Sequence, residues 1–347
     1  MKPRVTSTDV AKHAGVSQST VSFVLSGRSN VSEGVRKKVF DAVQVLGYVP
    51  LKPKKRKPRE SGRTIGILLD LNPFLPFVWN FERPILYHIE KNLYEEGNNT
   101  VVIPISFTFS DDKLFEKIMS QNVDALISML FVNENVFDRL NGMNIPIIVI
   151  MNDALQTRFH AVLVDDYQGL FDGTTYLIQM GHRNLVYLDY ERPDMPSLIL
   201  DRFFGFTKAV EHHNLTFPER HHVTTATTRI DELMERLQPI FREKAPPTGI
   251  IALDDYIAAS LMTALRNLHL RVPEDVSIIS IGDVLDYTQP YIPAITTIQI
   301  NNVLAGKMAA ELLLEVMSKG VRTPQILKIT PRIVERGTCR RLTGRSF

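Results

Sequence analysis

The sequence predicts an α/β protein: a small amino-terminal bundle of three helices, of helix-turn-helix type, joined to a larger core of doubly wound parallel sheets. Three observations lead there. Up to Leu46 the apolar residues recur at helical spacing, and Gly15 interrupts them where two helices would meet. From Thr64 onward, short apolar β-prone runs alternate with helical stretches, the pattern of strands buried on both faces. Between these regions, residues 51–63 hold a dense block of Lys and Arg with prolines, which opposes a stable helix. The expected boundaries are therefore a head over 1–50, a basic linker over 51–63 and a core over 64–347.

In the head, Thr8 is placed to cap a first helix whose buried side is Val10, Ala11 and Ala14. Gly15 supplies the positive φ that reverses the chain, because it has no Cβ to clash. Ser17 then caps a second helix by accepting a bond from an orphan N–H. Val16, Val21, Val24 and Leu25 face inward, which leaves Gln18, Ser19, Ser22 and Phe23 on the surface. In this geometry the first turns of the second helix enter the major groove of DNA. A third helix follows, with Ser32 as its cap and Val35, Val39, Ala42, Val43 and Leu46 as its apolar stripe. Arg36, Lys37 and Lys38 lie on its polar side, and Gly47-Tyr48-Val49-Pro50 stops it.

Charge is distributed to match. Up to Arg63 there are 14 Lys and Arg against 4 Asp and Glu, a net of +10, so with +2 overall the remainder carries −8. A basic head on an acidic body suits a nucleic-acid partner at one end, since neutralised phosphates release counterions. In the linker, Lys54, Lys55, Arg56, Lys57 and Arg59 either track a minor groove as an extended arm or make loose phosphate contacts as a tether.

The core is too long for one ordinary hydrophobic centre and suggests two lobes. Strands are expected at Ile65–Leu69, Val101–Ile105, Ala125–Met129, Ile147–Ile150, Leu185–Leu188, Gly249–Leu253 and Val276–Ile281. Helices are expected at Ile85–Glu96, Leu114–Gln121, Gly169–Met180, Phe203–His212, Ile230–Phe241 and Tyr256–Leu268. Ligands of such folds bind at the strand ends between the lobes. No apolar run is long enough to cross a membrane and the amino terminus lacks a secretory stretch, so the cytoplasm is expected. The lone Cys339 excludes an internal disulfide framework.

These motifs resemble a known family. Asp9-Val10-Ala11, Ala14-Gly15-Val16-Ser17, Thr20-Val21-Ser22, Val31-Ser32 and Tyr48-Val49-Pro50 are similar to the headpiece of the lactose repressor (LacI/GalR) family of bacterial transcription regulators. The core continues the likeness with Val164-Asp165-Asp166-Tyr167-Gln168-Gly169, Met180-Gly181-His182-Arg183, Asp201-Arg202-Phe203-Phe204-Gly205 and Arg271-Val272-Pro273-Glu274-Asp275-Val276. That family's core resembles periplasmic sugar-binding proteins. The resemblance implies a repressor that dimerises, binds a near-palindromic operator and responds to a carbohydrate-like effector, with no cofactor. One departure stands out: in most relatives the linker is a short helix that wedges a leucine into the minor groove, and that position here is Lys57.

Site residues follow. Gln18 and Ser19 lead the second helix and are the expected base readers, Gln suiting the N6/N7 edge of adenine. Phe23 is placed against a thymine methyl. Thr6, Ser17, Thr20, Ser22, Ser26, Arg28 and Asn30 are expected on phosphates, and Tyr48 joins the DNA-contacting set. For the effector, Arg202 offers a guanidinium fork for sugar hydroxyls or a carboxylate, and Asp255 accepts hydroxyl or N–H bonds. A structural ion pair for Arg202 and a helix cap for Asp255 stand as alternatives. Asp166 takes a place where Asn is common in the family, and Gly282 replaces the first of a usual Asp pair, leaving Asp283. Either Phe74 and Phe77 or Trp79 and Phe81 line the pocket. Against an enzyme, there is no Gly-x-Ser-x-Gly elbow and no glycine-rich phosphate loop. His212-His213 and His221-His222 lack the nearby Cys or spaced acid that a metal site requires, so no metal is expected. The competing binding-protein reading is a solute receptor without gene control, which the headpiece opposes.

Overall fold

The computed structural model describes residues 5–25, 31–46, 48, 62–70, 76–106, 108–191 and 197–342. It divides into two compact units, one built from Met1–Pro73, Leu86–Val162 and Gly306–Ile326, the other from Phe74–Ile85, Leu163–Ala305 and Leu327–Phe347.

The first unit opens with α1 (Ser7–Ala14), α2 (Gln18–Leu25) and α3 (Glu33–Leu46). The cap of α1 is Thr6 rather than the expected Thr8. Thr6 and Asp9 form a reciprocal capping box: Asp9 N–H donates to Thr6 Oγ1 at 3.3 Å, and Thr6 N–H donates to Asp9 Oδ2 at 2.8 Å. That pairing satisfies two orphan donors at once, whereas Thr8 lies inside the first turn. Gly15 ends the helix in the left-handed region at φ 67°. Ser17 Oγ accepts from the Thr20 N–H at 3.1 Å and caps α2. Val10, Ala11, Ala14, Val21, Val24, Val39, Ala42 and Tyr48 are buried together, with Val16, Leu25, Val43 and Leu46 against them. Fully burying each valine contributes about 1.5–3 kcal/mol, so the three short helices depend on their shared core.

Next come β1 (Thr64–Asp70), α4 (Pro76–Glu95), β2 (Asn99–Ile105), α5 (Asp111–Ser120), β3 (Ala125–Met129), α6 (Glu134–Gly142), β4 (Ile147–Ile150) and β5 (His160–Val164). They are followed by α7 (Asp166–Gln179), β6 (Leu185–Tyr190), α8 (Ser197–His212), β7 (His222–Thr225), α9 (Ile230–Phe241), β8 (Gly249–Ala252), α10 (Asp255–Asn267), β9 (Ser277–Gly282) and β10 (Thr296–Gln299). The chain closes with α11 (Asn302–Lys319), β11 (Ile326–Ile329) and β12 (Arg332–Val334).

One six-stranded sheet has the order β11-β5-β4-β3-β1-β2, the other β12-β10-β9-β8-β6-β7. Strands β1 to β5 pair in parallel, as do β6 to β10, while β12 runs antiparallel to β10. Every residue of β3, β4, β6, β8 and β9 is buried, as continuous apolar runs between helical layers require. Three departures from expectation are informative. The helix expected from Ile85 starts at Pro76 and carries Pro84 within it. Helices α6 and α11 were not anticipated. Neither were β5, β7, β10, β11 and β12; β7, β10, β11 and β12 mix polar with apolar residues and lack the continuous apolar run that marks β3, β4 and β8.

Candidate nucleic-acid interface and effector site

The outer face of α2 presents what a groove-reading helix needs. Ser17, Gln18, Ser19, Ser22 and Phe23 are exposed, Phe23 at 42%, while Val21 and Val24 on the opposite face are buried. The capping geometry leaves the positive end of the α2 dipole at Gln18, where an anionic backbone is attracted. Within the free chain these polar groups bond to one another. Gln18 Nε2 donates to Ser7 Oγ at 2.9 Å, and Ser17 Oγ lies 2.8 Å from Ser19 Oγ and 2.7 Å from Thr20 Oγ1. Thr20 is half-buried, and the exposed Thr6 hydroxyl donates to Asp9 Oδ2 at 2.7 Å.

Tyr48 departs from the expected surface contact. It is 8% exposed and joins the apolar cluster of the three helices, its N–H donating to Val43 O at 3.0 Å. Lys37 and Lys38 stay exposed on α3. Ser26, Arg28 and Asn30, the linker residues Lys54, Lys55, Arg56, Lys57 and Arg59, and Phe74 lie outside the described residues.

In the second unit, β6, β8 and β9 are parallel neighbours, so their carboxyl ends share one edge of the sheet. Asp166 and Arg202 meet there as a buried ion pair, Arg202 Nε donating to Asp166 Oδ1 at 2.7 Å. Arg202 also reaches the Leu253 carbonyl at 3.4 Å. The pair is possible because α7 and α8 touch. A Cβ on Gly205 would stand 2.1 Å from the Tyr167 carbonyl oxygen, so only glycine permits this approach. Burial pushes the Asp166 carboxyl above its usual range, and the Arg202 guanidinium pulls it back.

The two acids after β8 divide their roles. Asp254 caps α10, accepting the Ile257 N–H at 2.8 Å and the Tyr190 hydroxyl at 3.3 Å. Asp255, fully buried, is not the cap. Its Oδ2 accepts the N–H groups of Val284 and Leu285 at 2.8 and 2.9 Å and the Tyr287 hydroxyl at 3.0 Å. Its Oδ1 has no hydrogen-bond partner among the described residues, and beside it stands Gly282, where a Cβ would come within 3.3 Å. Burial raises the Asp255 carboxyl to about 6, with the Leu285 N–H and Tyr287 hydroxyl opposing the rise.

Two residues that sequence reasoning missed complete this network. Arg336 pairs with Asp283 at 2.7 Å, and its guanidinium lies 3.8 Å from the centroid of Tyr287. Nothing local in the sequence signals that Tyr287 and Arg336 support Asp255. Phe81 is half-buried, and its carbonyl accepts from Asn302 Nδ2 at 3.1 Å. Among the described residues, no group of three or more His, Cys, Asp or Glu is placed to hold a metal ion. His221 instead bonds the Leu185 carbonyl and Glu243. No described helix is long and apolar enough to cross a membrane.

A capped helix pair with a polar outer face, carried with two parallel α/β sheets, defines a helix-turn-helix DNA-binding protein with a ligand-binding type of core. Residues 6–50 match the family described as bacterial regulatory proteins, lacI family, and residues 174–339 match a periplasmic binding protein-like domain. The chain is 25% identical over 339 residues to the HTH-type transcriptional repressor PurR of Vibrio vulnificus (strain CMCP6), covering 96% of this chain and 98% of that protein. Among solved structures it is similar to a transcriptional regulator CelR–cellobiose complex, with a TM-score of 0.68, 23% identity and coverage of 96% and 100% of the two chains. It is also similar to the lac repressor dimer bound to operator and the anti-inducer ONPF, with a TM-score of 0.62, 22% identity and coverage of 97% and 100%. The chain thus joins a lacI-type DNA-binding domain to a periplasmic-binding-protein-like domain. It is a DNA-binding transcriptional regulator, and its curated relatives are regulators rather than enzymes.

Proposed function

We propose that the protein is a cytoplasmic repressor whose dimer sets two α2 helices into consecutive major-groove segments of a near-palindromic operator, under control of a carbohydrate-like effector. The observation that carries this reading is the division of α2 into a buried face, Val21 and Val24, and an exposed polar face led by Gln18 and Ser19. In it, Gln18 and Ser19 read base edges, while Ser17, Thr20 and Ser22 hold phosphates and fix register. Two-fold symmetry of the dimer matches symmetry of the operator. The likeness to the cellobiose complex supports a sugar-like effector.

In this reading the ligand meets Arg202, oriented by Asp166, and the strand ends that carry Asp255, with Phe81 of α4 as an apolar wall. A buried pair restricts the guanidinium to one orientation, which favours a ligand with hydroxyls or a carboxylate in a matching plane. The test has two arms. Selection of genomic fragments by gel shift should yield a near-palindromic site, and a thermal-shift screen of sugars, sugar acids, glycosides and nucleosides should yield a stabilising ligand. A ligand whose binding leaves operator affinity unchanged would refute effector control; failure to select any sequence over random DNA would refute operator recognition.

A further inference from the structure

The third helix of the head carries a phenylalanine that its own bundle does not fully use. Phe40 lies beside the α3 stripe, next to Val39, and packs against a second cluster that includes Phe115, Val136 and Phe137 of α5 and α6. Phe40 and Phe115 meet edge to face, with centroids 5.8 Å apart and planes at 87°. The Arg139 guanidinium lies 3.8 Å from the Phe115 centroid and 5.4 Å from that of Phe40. Asp112 holds Arg139 there through a bond of 2.8 Å. At the rim, Arg36 of α3 faces Glu116 of α5 at 3.8 Å.

We propose that α5 and α6 form a docking seat for the head, occupied in the DNA-free protein and vacated when the head takes up DNA. Among the described residues the contacts are the packing of Phe40 on the α5–α6 cluster, its edge-to-face pair with Phe115, a cation beside these rings and a partly exposed ion pair. Such contacts hold a small module reversibly, in contrast to the dry core inside the head. The seat and DNA also compete for the same cation. Arg36 begins the Arg36-Lys37-Lys38 run of α3, and it serves the Glu116 carboxylate or a phosphate, not both. Asp112 and Glu116 moreover repel a phosphate backbone approaching this side of α3. The reading face of α2 stays exposed while the head is docked, so the seat controls where the head is held rather than masking it. A docked fraction lowers the apparent DNA affinity in proportion to the heads it withholds.

Docking stands without reference to DNA; only its release rests on the DNA-binding reading above. The experiment uses the full chain with Cys339→Ser, Arg36→Cys and Glu116→Cys, joined by a short bismaleimide. Intrachain cross-linking should be efficient in free protein and fall about 5-fold on adding Arg139→Ala, which leaves the sequence of the head untouched. Saturating duplex DNA, with binding followed by anisotropy, should lower the yield likewise. In the protein with native Arg36 and Glu116, Arg139→Ala should tighten DNA binding by a similar factor of about 5. Equal cross-linking with and without Arg139→Ala overturns the seat. High cross-linking in protein shown to be DNA-bound overturns the release. Absence of any DNA binding would instead refute the DNA-binding reading, leaving the seat to be judged by the cross-link alone.

Discussion

Gln18 sits at the leading turn of α2, exposed, and its side-chain amide donates to Ser7, so it is available to exchange that partner for a base edge. Gln18→Ala should cost about 1–3 kcal/mol at a cognate operator and little on random DNA. Equal losses on both, measured by titration at fixed salt, would show that it does not specify. Asp255 offers a different test. Its carboxyl is raised to about 6 by burial, above its value in an unfolded chain. The folded state therefore binds the proton more tightly, and this contribution to stability is present below about pH 4 and lost as pH rises through about 6. Asp255→Asn removes that loss while keeping an oxygen for the Val284 and Leu285 N–H groups. Between pH 4 and 7 its stability relative to the parent should rise by about 2–3 kcal/mol, read from urea unfolding at each pH. A constant difference would show that Asp255 does not titrate in this window.

At the scale of elements, the approach of α7 to α8 decides whether Asp166 and Arg202 meet. Gly205→Ala places a methyl against the Tyr167 carbonyl, a backbone group that cannot rotate away. It should destabilise the protein by about 1–3 kcal/mol and weaken effector binding as the ion pair opens. A melting temperature and ligand affinity both equal to the parent's would refute this view of the contact. The same comparison shows what was legible in the chain. Apolar runs such as Ala125–Met129 and Ile147–Ile150 are visible because a strand buried on both faces must be apolar throughout. The cap of α1 is Thr6 rather than Thr8 because Asp9, three residues after Thr6, completes a reciprocal box that Thr8 has no acid to form. Strand β12, three residues long, is defined by its pairing with β10 rather than by its own composition.

For the whole molecule, the charge asymmetry of +10 up to Arg63 against −8 beyond governs how the protein meets a polyanion. Operator affinity should fall steeply with salt, by roughly 10³–10⁵ between 50 and 200 mM if about 6–10 phosphates are neutralised per dimer. The linker adds a second term. Replacing Lys54, Lys55, Arg56, Lys57 and Arg59 by alanine should cost more on A·T-centred than on G·C-centred sites if the segment reads a narrow minor groove. Equal losses on the two would identify it as a phosphate tether instead.

The amino-acid sequence by itself determined the order of parts: a helical, basic head, a linker rich in lysine and proline, and alternating strands and helices. These properties depend on neighbours a few residues apart, where capping, periodicity and charge density act. Only the tertiary structure decided which side chains face each other across long separations. It joined Asp166 to Arg202, set Tyr287 and Arg336 behind Asp255, buried Tyr48 in the head, and seated Phe40 against Phe115. Such pairings arise because burial forces polar groups to find partners and aromatic faces to find covers wherever the packed helices and sheet edges bring them.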